Sequence, residues 1–217
     1  MDGNLRWAKK NNLIAKDGYL KGLNKINEVI DLCINEKIKY LTLYALSTEN
    51  KKRNSINIIY KIINYNFHNI FDKLTSNKKV KIKVIGERNN LPKNIIKILE
   101  GLEYRTKNNK ILNVNIAFNY GTNFEILNLV KKISEKFKKE KIKINDTIIK
   151  KNMYLENIPD PDILIRTGGY KRLSNFILMN LSYTELFFLK TLWPDLSKKE
   201  ILKIFNEYKN INRKYGL

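Results

Sequence analysis

The chain has 217 residues, 43% of them apolar, and a formal charge of +21. That length suits one compact domain with a real core, which excludes global disorder. No apolar run approaches the ~20 residues of a membrane span, and the only cysteine, Cys33, cannot form an internal disulfide. Nothing therefore asks for an oxidising compartment, and a cytoplasmic location is the expectation. The charge admits an acidic partner. The lysines, however, are scattered among Asn and Ile and form no single stripe, so charge alone does not indicate nucleic-acid binding.

The opening residues "MDGNLRWAKK" place Asp2, Gly3, Asn4 and Arg6 within five positions. A carboxylate, a glycine-freed backbone and an Arg fork so close together suit a diphosphate held through a divalent cation. A helix is expected over Leu20–Glu36, with Cys33 at core spacing. The apolar run Ile38–Leu46 reads as a strand, and its end carries "STENKKR", with Ser47, Glu49, Asn50 and Arg53. A helix follows over Ile56–Thr75. A strand over Val80–Ile85 leads to "GERNNLP", and Pro92 suits the first turn of a helix over Pro92–Lys107.

Leu112–Phe118 reads as a strand ending in "NYGT". Helices are expected over Phe124–Lys138 and Asp146–Lys151. The run Asp162–Ile165 is a strand, and "RTGGYKRLS" follows it. Arg166, Arg172 and Ser174 around Gly168–Gly169 form the sharpest anion signal in the chain, because Arg forks match phosphate oxygens. Glu185 opens a last strand, Glu185–Phe188, amid apolar neighbours, where a carboxylate reads as a metal ligand, a salt-bridge partner or a surface group. Ser197, with Glu200 three residues on, caps a final helix over Ser197–Lys214. Strands alternating with helices argue a mostly parallel α/β sheet flanked by helices. In such sheets ligands sit at the carboxyl ends of strands, where the polar clusters fall. No P-loop or dinucleotide fingerprint is present. With a single His and a single Cys, neither a zinc site nor a Ser-His-Asp triad can be assembled.

Taken in order, "MDGNLRWAKK", "LTLYALSTEN" with Arg53, "NIAFNYG", "DILIRTGG" running into "RLSNF", "YTELFF" and "LWPDL" resemble the cis-prenyltransferases. This is the undecaprenyl diphosphate synthase, or isoprenyl transferase, family, and the resemblance covers nearly the whole chain. It implies one isoprenyl transferase domain over residues 1–217, with an apolar tunnel walled near Leu20–Glu36 and Ile56–Thr75. It also implies a homodimer peripheral to the membrane, and Mg2+-dependent condensation of isopentenyl diphosphate with an allylic diphosphate such as farnesyl diphosphate. The product would be a polyprenyl diphosphate lipid-carrier precursor.

By the same resemblance Asp2 organises the metal, with Glu185 as the second metal carboxylate, and Asn50 is the position associated with proton acceptance. Gly3, Asn4, Leu5, Arg6 and Trp7 would line the allylic diphosphate site, continued by Ser47, Thr48, Glu49, Lys51 and Arg53. Arg166, Arg172, Leu173 and Ser174 would grip isopentenyl diphosphate. Leu5, Ala15, Tyr19, Lys51, Tyr170 and Lys171 depart from the family pattern. A buried strand leads into the DGN motif in the family, so a first strand upstream of Met1 is expected. Two other readings stay open. The departures suit a non-catalytic partner subunit, and the charge suits a basic nucleic-acid binder.

Overall fold

The computed structural model describes residues 1–52, 56–65, 78–139 and 143–212. Helices α1 (Asn4–Lys10) and α2 (Ala15–Asn35) precede strand β1 (Tyr40–Ser47). A helical stretch, α3 (residues 56–65), is followed by β2 (Val80–Ile85), α4 (Lys93–Thr106) and β3 (Leu112–Tyr120). Then come α5 (Thr122–Lys139), α6 (Asp146–Asn152), β4 (Ile163–Arg166), β5 (Glu185–Phe188) and α7 (Lys198–Lys209).

Every strand pair is parallel, as the alternation of elements requires. The strands form two sheets, β1-β3-β2 and β4-β5. β3 is central and buried along nearly its whole length, its polar Asn115 and Asn119 included. Its buried Asn115 is satisfied by the Thr42 hydroxyl at 3.2 Å. The main core packs Ile30 of α2, Ile95 and Leu102 of α4, and Val80 and Leu112 of the sheet. A smaller cluster gathers Ile85, Ala117, Tyr120, Leu155 and Ile177 beneath the loop after β4. Ser197 and Glu200 form the reciprocal cap of α7 that their spacing predicts.

Two differences from the sequence reading concern the first helices. "NLRWAKK" forms α1, and α2 begins at Ala15, ahead of Gly18 and Gly22. Glycines inside a helix lower its local propensity, which moves the expected start to Leu20. Tertiary contact outweighs that cost. A Cβ on Gly18 would stand 2.3 Å from the Asn4 carbonyl oxygen, and one on Gly22 would stand 2.0 Å from Asn4 Oδ1. The two glycines, one turn apart, form the notch in α2 that seats α1. The turn Trp193–Asp195 fastens the pair. The Trp193 indole donates to the Gly22 carbonyl at 2.7 Å, and the Trp7 indole donates to Asp195 Oδ1 at 2.6 Å. The distal ends of the expected helices Ile56–Thr75 and Ser197–Lys214 lie outside the described residues.

Candidate active site

β1 and β4 are edge strands of their respective sheets, and both line a cavity of about 1220 Å³. Its inner walls are apolar, with Val29 and Cys33 from α2, Leu43 from β1, Ile59 from α3 and Phe205 from α7. Polar residues line it where β4 ends in Arg166, and Lys37, Lys39, Asp160 and Asp162 line it ahead of β1 and β4. Parallel strands put their carboxyl ends on one rim, so the loops after β1, β3 and β4 meet there.

Asp2 is the hub of that rim. Its N–H donates to the Thr167 hydroxyl at 3.1 Å, and that hydroxyl donates back to the Asp2 carbonyl at 3.0 Å. The Trp193 N–H also donates to this carbonyl, at 3.0 Å. With the backbone pinned, the carboxylate receives Arg6 on Oδ1 at 3.2 Å and Arg166 on Oδ2 at 3.1 Å. Arg6 also donates to the Gly168 carbonyl at 2.7 Å. Such an approach requires glycine, since a Cβ on Gly168 would stand 2.4 Å from Arg6 Nη2, and φ there is +89°.

Arg166 is held from three sides, yet one donor is spare. Nη1 donates to the Ser174 hydroxyl at 2.7 Å and to the Arg172 carbonyl, while Nη2 donates to Asp2. Nε is buried with no partner. A buried unpartnered N–H is costly, so Arg166 is held in place by its other bonds and not by this one.

The loop after β4 is itself strained. Ser174, Asn175 and Ile177 all have positive φ, at 50°, 62° and 39°. For a β-branched residue that is an outlier, and such strain persists where the surroundings enforce it. Asn175 does the enforcing. Its carbonyl accepts from Thr122 N at 2.9 Å, its Oδ1 accepts from Asn123 N at 3.0 Å, and its Nδ2 donates to Glu49 Oε1 at 2.8 Å. That last bond joins the loop after β4 to the loop after β1. Burial pushes the Glu49 carboxyl up, but hydrogen bonds from Asn175, from its own backbone and from Ser47 and Thr48 outweigh it and hold the carboxyl below the usual range. Asn50 N donates to the Ser47 hydroxyl at 3.2 Å, and Asn50 lines the cavity.

The structure thus brings Asp2, Gly3, Asn4, Leu5, Arg6, Ser47, Glu49, Asn50, Arg166, Arg172, Leu173 and Ser174 to the cavity. Trp7 and Thr48 are not among its lining residues. Trp7 turns to Asp195, and Thr48 N donates to the Tyr120 carbonyl at 2.9 Å. Lys51 sits in the short 3-10 turn Glu49–Lys52, and Arg53 lies outside the described residues. Glu185 pairs with Ile163, three residues before the Arg166–Phe188 pair. At ~3.3 Å per residue it stands about 10 Å along the strands from the level of Arg166. Among the described residues no group of three or more metal-ligating side chains converges. Thr167, Asn175 and Tyr170 belong to the site although the motif reading assigned them no part in it. Asn tolerates left-handed backbone, but the partners of Thr167 and Asn175, and Arg6 among those of Tyr170, come from distant segments.

Comparison with known proteins follows the same lines. The Prenyltransf family model, of undecaprenyl diphosphate synthases, matches residues 1–216. An isoprenyl transferase of Aquifex aeolicus is 38% identical over 100% of this chain and 93% of its own length. A tritrans,polycis-undecaprenyl-diphosphate synthase (geranylgeranyl-diphosphate specific) of Pyrococcus abyssi is 38% identical over 100% of this chain and 84% of its own. The crystal structure of lavandulyl diphosphate synthase from Lavandula x intermedia, in complex with dimethylallyl diphosphate, superposes with a TM-score of 0.95. It is 26% identical, over 100% of this chain and 95% of that one.

Proposed function

The chain belongs to the undecaprenyl diphosphate synthase family, and on that premise we propose that it joins isopentenyl diphosphate to an allylic diphosphate, growing a polyprenyl chain into its apolar cavity. The observation that carries this reading is the group Asp2, Arg6, Arg166, Arg172 and Ser174 gathered on the lining of that largely apolar cavity. In the proposed reaction the allylic C–O bond breaks and diphosphate leaves. The alkene of isopentenyl diphosphate supplies the electrons of the new C–C bond, and a proton is then lost. Negative charge builds on the departing allylic diphosphate, and Arg6 is assigned to offset it, while Arg166 and Arg172 are assigned to the diphosphate that isopentenyl diphosphate keeps. Ser174 orients Arg166, and Asn50, on the cavity wall, is assigned to the side where the proton leaves.

Mg2+, when bound, supplies further stabilisation of that leaving charge. Asp2 fits such an ion. Its carboxylate faces the site among donors suited to phosphate, and Mg2+ is commonly held by one or two carboxylates together with substrate phosphates. Farnesyl diphosphate is the proposed primer and a lipid-carrier precursor the proposed product. The Pyrococcus abyssi relative is named as specific for geranylgeranyl diphosphate and the lavandulyl diphosphate synthase was crystallised with dimethylallyl diphosphate, so the three should be compared directly as primers. Among the described residues no helix is long and apolar enough to cross a membrane, and contact with the bilayer is proposed to be peripheral. A homodimer is proposed, its interface including the exposed Met179, Tyr183 and Leu186 near β5.

The test is incorporation of radiolabelled isopentenyl diphosphate in the presence of Mg2+ and each primer in turn. Butanol-extractable product that falls by ~100-fold or more in Asp2→Ala supports the synthase. Absence of product with every primer, from a folded protein that still binds pyrophosphate, overturns it in favour of a non-catalytic partner subunit.

A further inference from the structure

Tyr170 follows the two glycines of the β4 loop, and its ring meets three cations. The guanidinium carbon of Arg172 lies 4.2 Å from the ring centroid, that of Arg6 4.8 Å and that of Arg166 6.0 Å. All three fall within the ~6 Å reach of cation–π attraction. They arrive from separate places: Arg6 from α1, Arg166 from the end of β4, and Arg172 from the loop beyond. Like charges gathered in this way repel, and the Asp2 carboxylate is engaged by two of them, Arg6 and Arg166. Arg6 also donates to the Gly168 carbonyl and Arg166 to Ser174 and the Arg172 carbonyl, but the negative face of the Tyr170 ring is the attraction that all three guanidiniums share.

The ring is not free to drift. Gly168 N and Gly169 N donate to the Thr191 and Leu189 carbonyls, each at 2.8 Å, so the backbone entering Tyr170 is stitched to the segment after β5. Nor is it a core residue, being 43% exposed. A side chain with little packing to lose and three guanidiniums around it has its effect through them.

We propose that Tyr170 is a positioning residue of the anion site: its ring gathers Arg6, Arg166 and Arg172 into one cradle before the diphosphate arrives. That the anion is a diphosphate rests on the synthase reading above; the gathering of the arginines does not. Pre-ordered guanidiniums lose less freedom on binding, so the ring is felt as affinity. The contacts are to the ring, so phenylalanine should serve as well as tyrosine, and an aliphatic side chain should not.

The experiment titrates inorganic pyrophosphate into the full chain by calorimetry in metal-free buffer, for the parent, Tyr170→Leu, Tyr170→Phe and Tyr170→Trp. The expected result is a Kd raised about tenfold in Tyr170→Leu. Tyr170→Phe should stay within about twofold of the parent, and Tyr170→Trp should bind as tightly or more tightly. Melting temperatures should be unchanged in all four. In turnover, Tyr170→Leu should raise KM for isopentenyl diphosphate while kcat is kept. Equal or tighter binding by Tyr170→Leu overturns the proposal. So does Tyr170→Phe failing alongside it, or a parent protein that does not bind pyrophosphate. The leucine–phenylalanine contrast in a protein that makes no prenyl product would support the cradle while overturning the synthase reading.

Discussion

Gly18→Ala and Gly101→Ala make the same chemical change inside two helices and should move stability in opposite directions. In an exposed helix interior, alanine is better than glycine by ~0.5–1 kcal/mol. A Cβ on Gly101 of α4 meets nothing within 4 Å, so that gain should appear undiminished. For a chain of this size it raises Tm by ~2–4 °C per kcal/mol. On Gly18 of α2 the same Cβ would stand 2.3 Å from the Asn4 carbonyl oxygen, 3.0 Å from Ala8 Cβ and 3.1 Å from the Asn4 carbonyl carbon.

Two of those three atoms are backbone, so no rotamer change relieves the contact, and α1 must retreat by about 1 Å to reach ordinary separation. Overpacking of this kind costs ~1–3 kcal/mol. Set against the helix gain, a net loss of ~1 kcal/mol remains, and Tm should fall by ~2–4 °C. The displaced α1 carries Arg6, and Asn4 lies close to Asp2 in the chain. A 1 Å misplacement near reacting groups can cost as much as ~100-fold, so kcat/KM should drop by ~10–100-fold. Urea or thermal unfolding of both variants, with the prenyl transfer assay alongside, decides it. If Gly18→Ala stabilises as Gly101→Ala does and keeps its activity, the seating of α1 in the α2 notch is refuted.

Glu49, held below its ordinary value of 4.5, contributes stability that is present above that pH and lost as pH falls through its lowered folded value. Asn175→Ala removes a side-chain donor to Glu49, so the carboxyl should titrate higher and the acid decline in stability below pH about 4.5 should flatten. NMR of the Glu49 carboxyl carbon checks this, and an unmoved titration would contradict the Asn175–Glu49 bond. The Cys33 thiol, buried in the main core, is pushed up to about 12 from 9.0 by desolvation. The native protein should therefore resist alkylation at pH 8, and the urea-unfolded chain should react readily. Because the folded value is raised, stability should be intact below pH about 9 and decline above it, as the unfolded thiol ionises first.

Much of the site was legible because its chemistry is local. Asp2, Asn4 and Arg6 fall within a few residues of one another, and Arg166, Arg172 and Ser174 within nine. Short spacing between cations, a carboxylate and glycines is visible without a fold. The strands were legible for a similar reason. Apolar runs between turn formers report burial along a segment, and β2 and β5 keep the expected bounds, Val80–Ile85 and Glu185–Phe188. α1 and the start of α2 were not legible, since α1 has only seven residues and the helical signal of α2 is weakened by Gly18, while nothing local explains Gly18 and Gly22 themselves. Their purpose, the approach of Asn4, exists only between segments.

The sequence by itself determined the rhythm of parallel strands and helices, the rim on which polar residues gather, and the family, because period, turn chemistry and motif order are properties of neighbours along the chain. Tertiary structure alone decided that Thr167 and Trp193 pin Asp2, that Asn175 couples the loops after β1 and β4, and that Tyr170 collects three arginines. Those contacts join residues as much as 191 positions apart in numbering, Asp2 with Trp193 among them. No pattern along the chain encodes such a pairing. It is fixed when packing of the core leaves those groups within hydrogen-bonding or van der Waals reach.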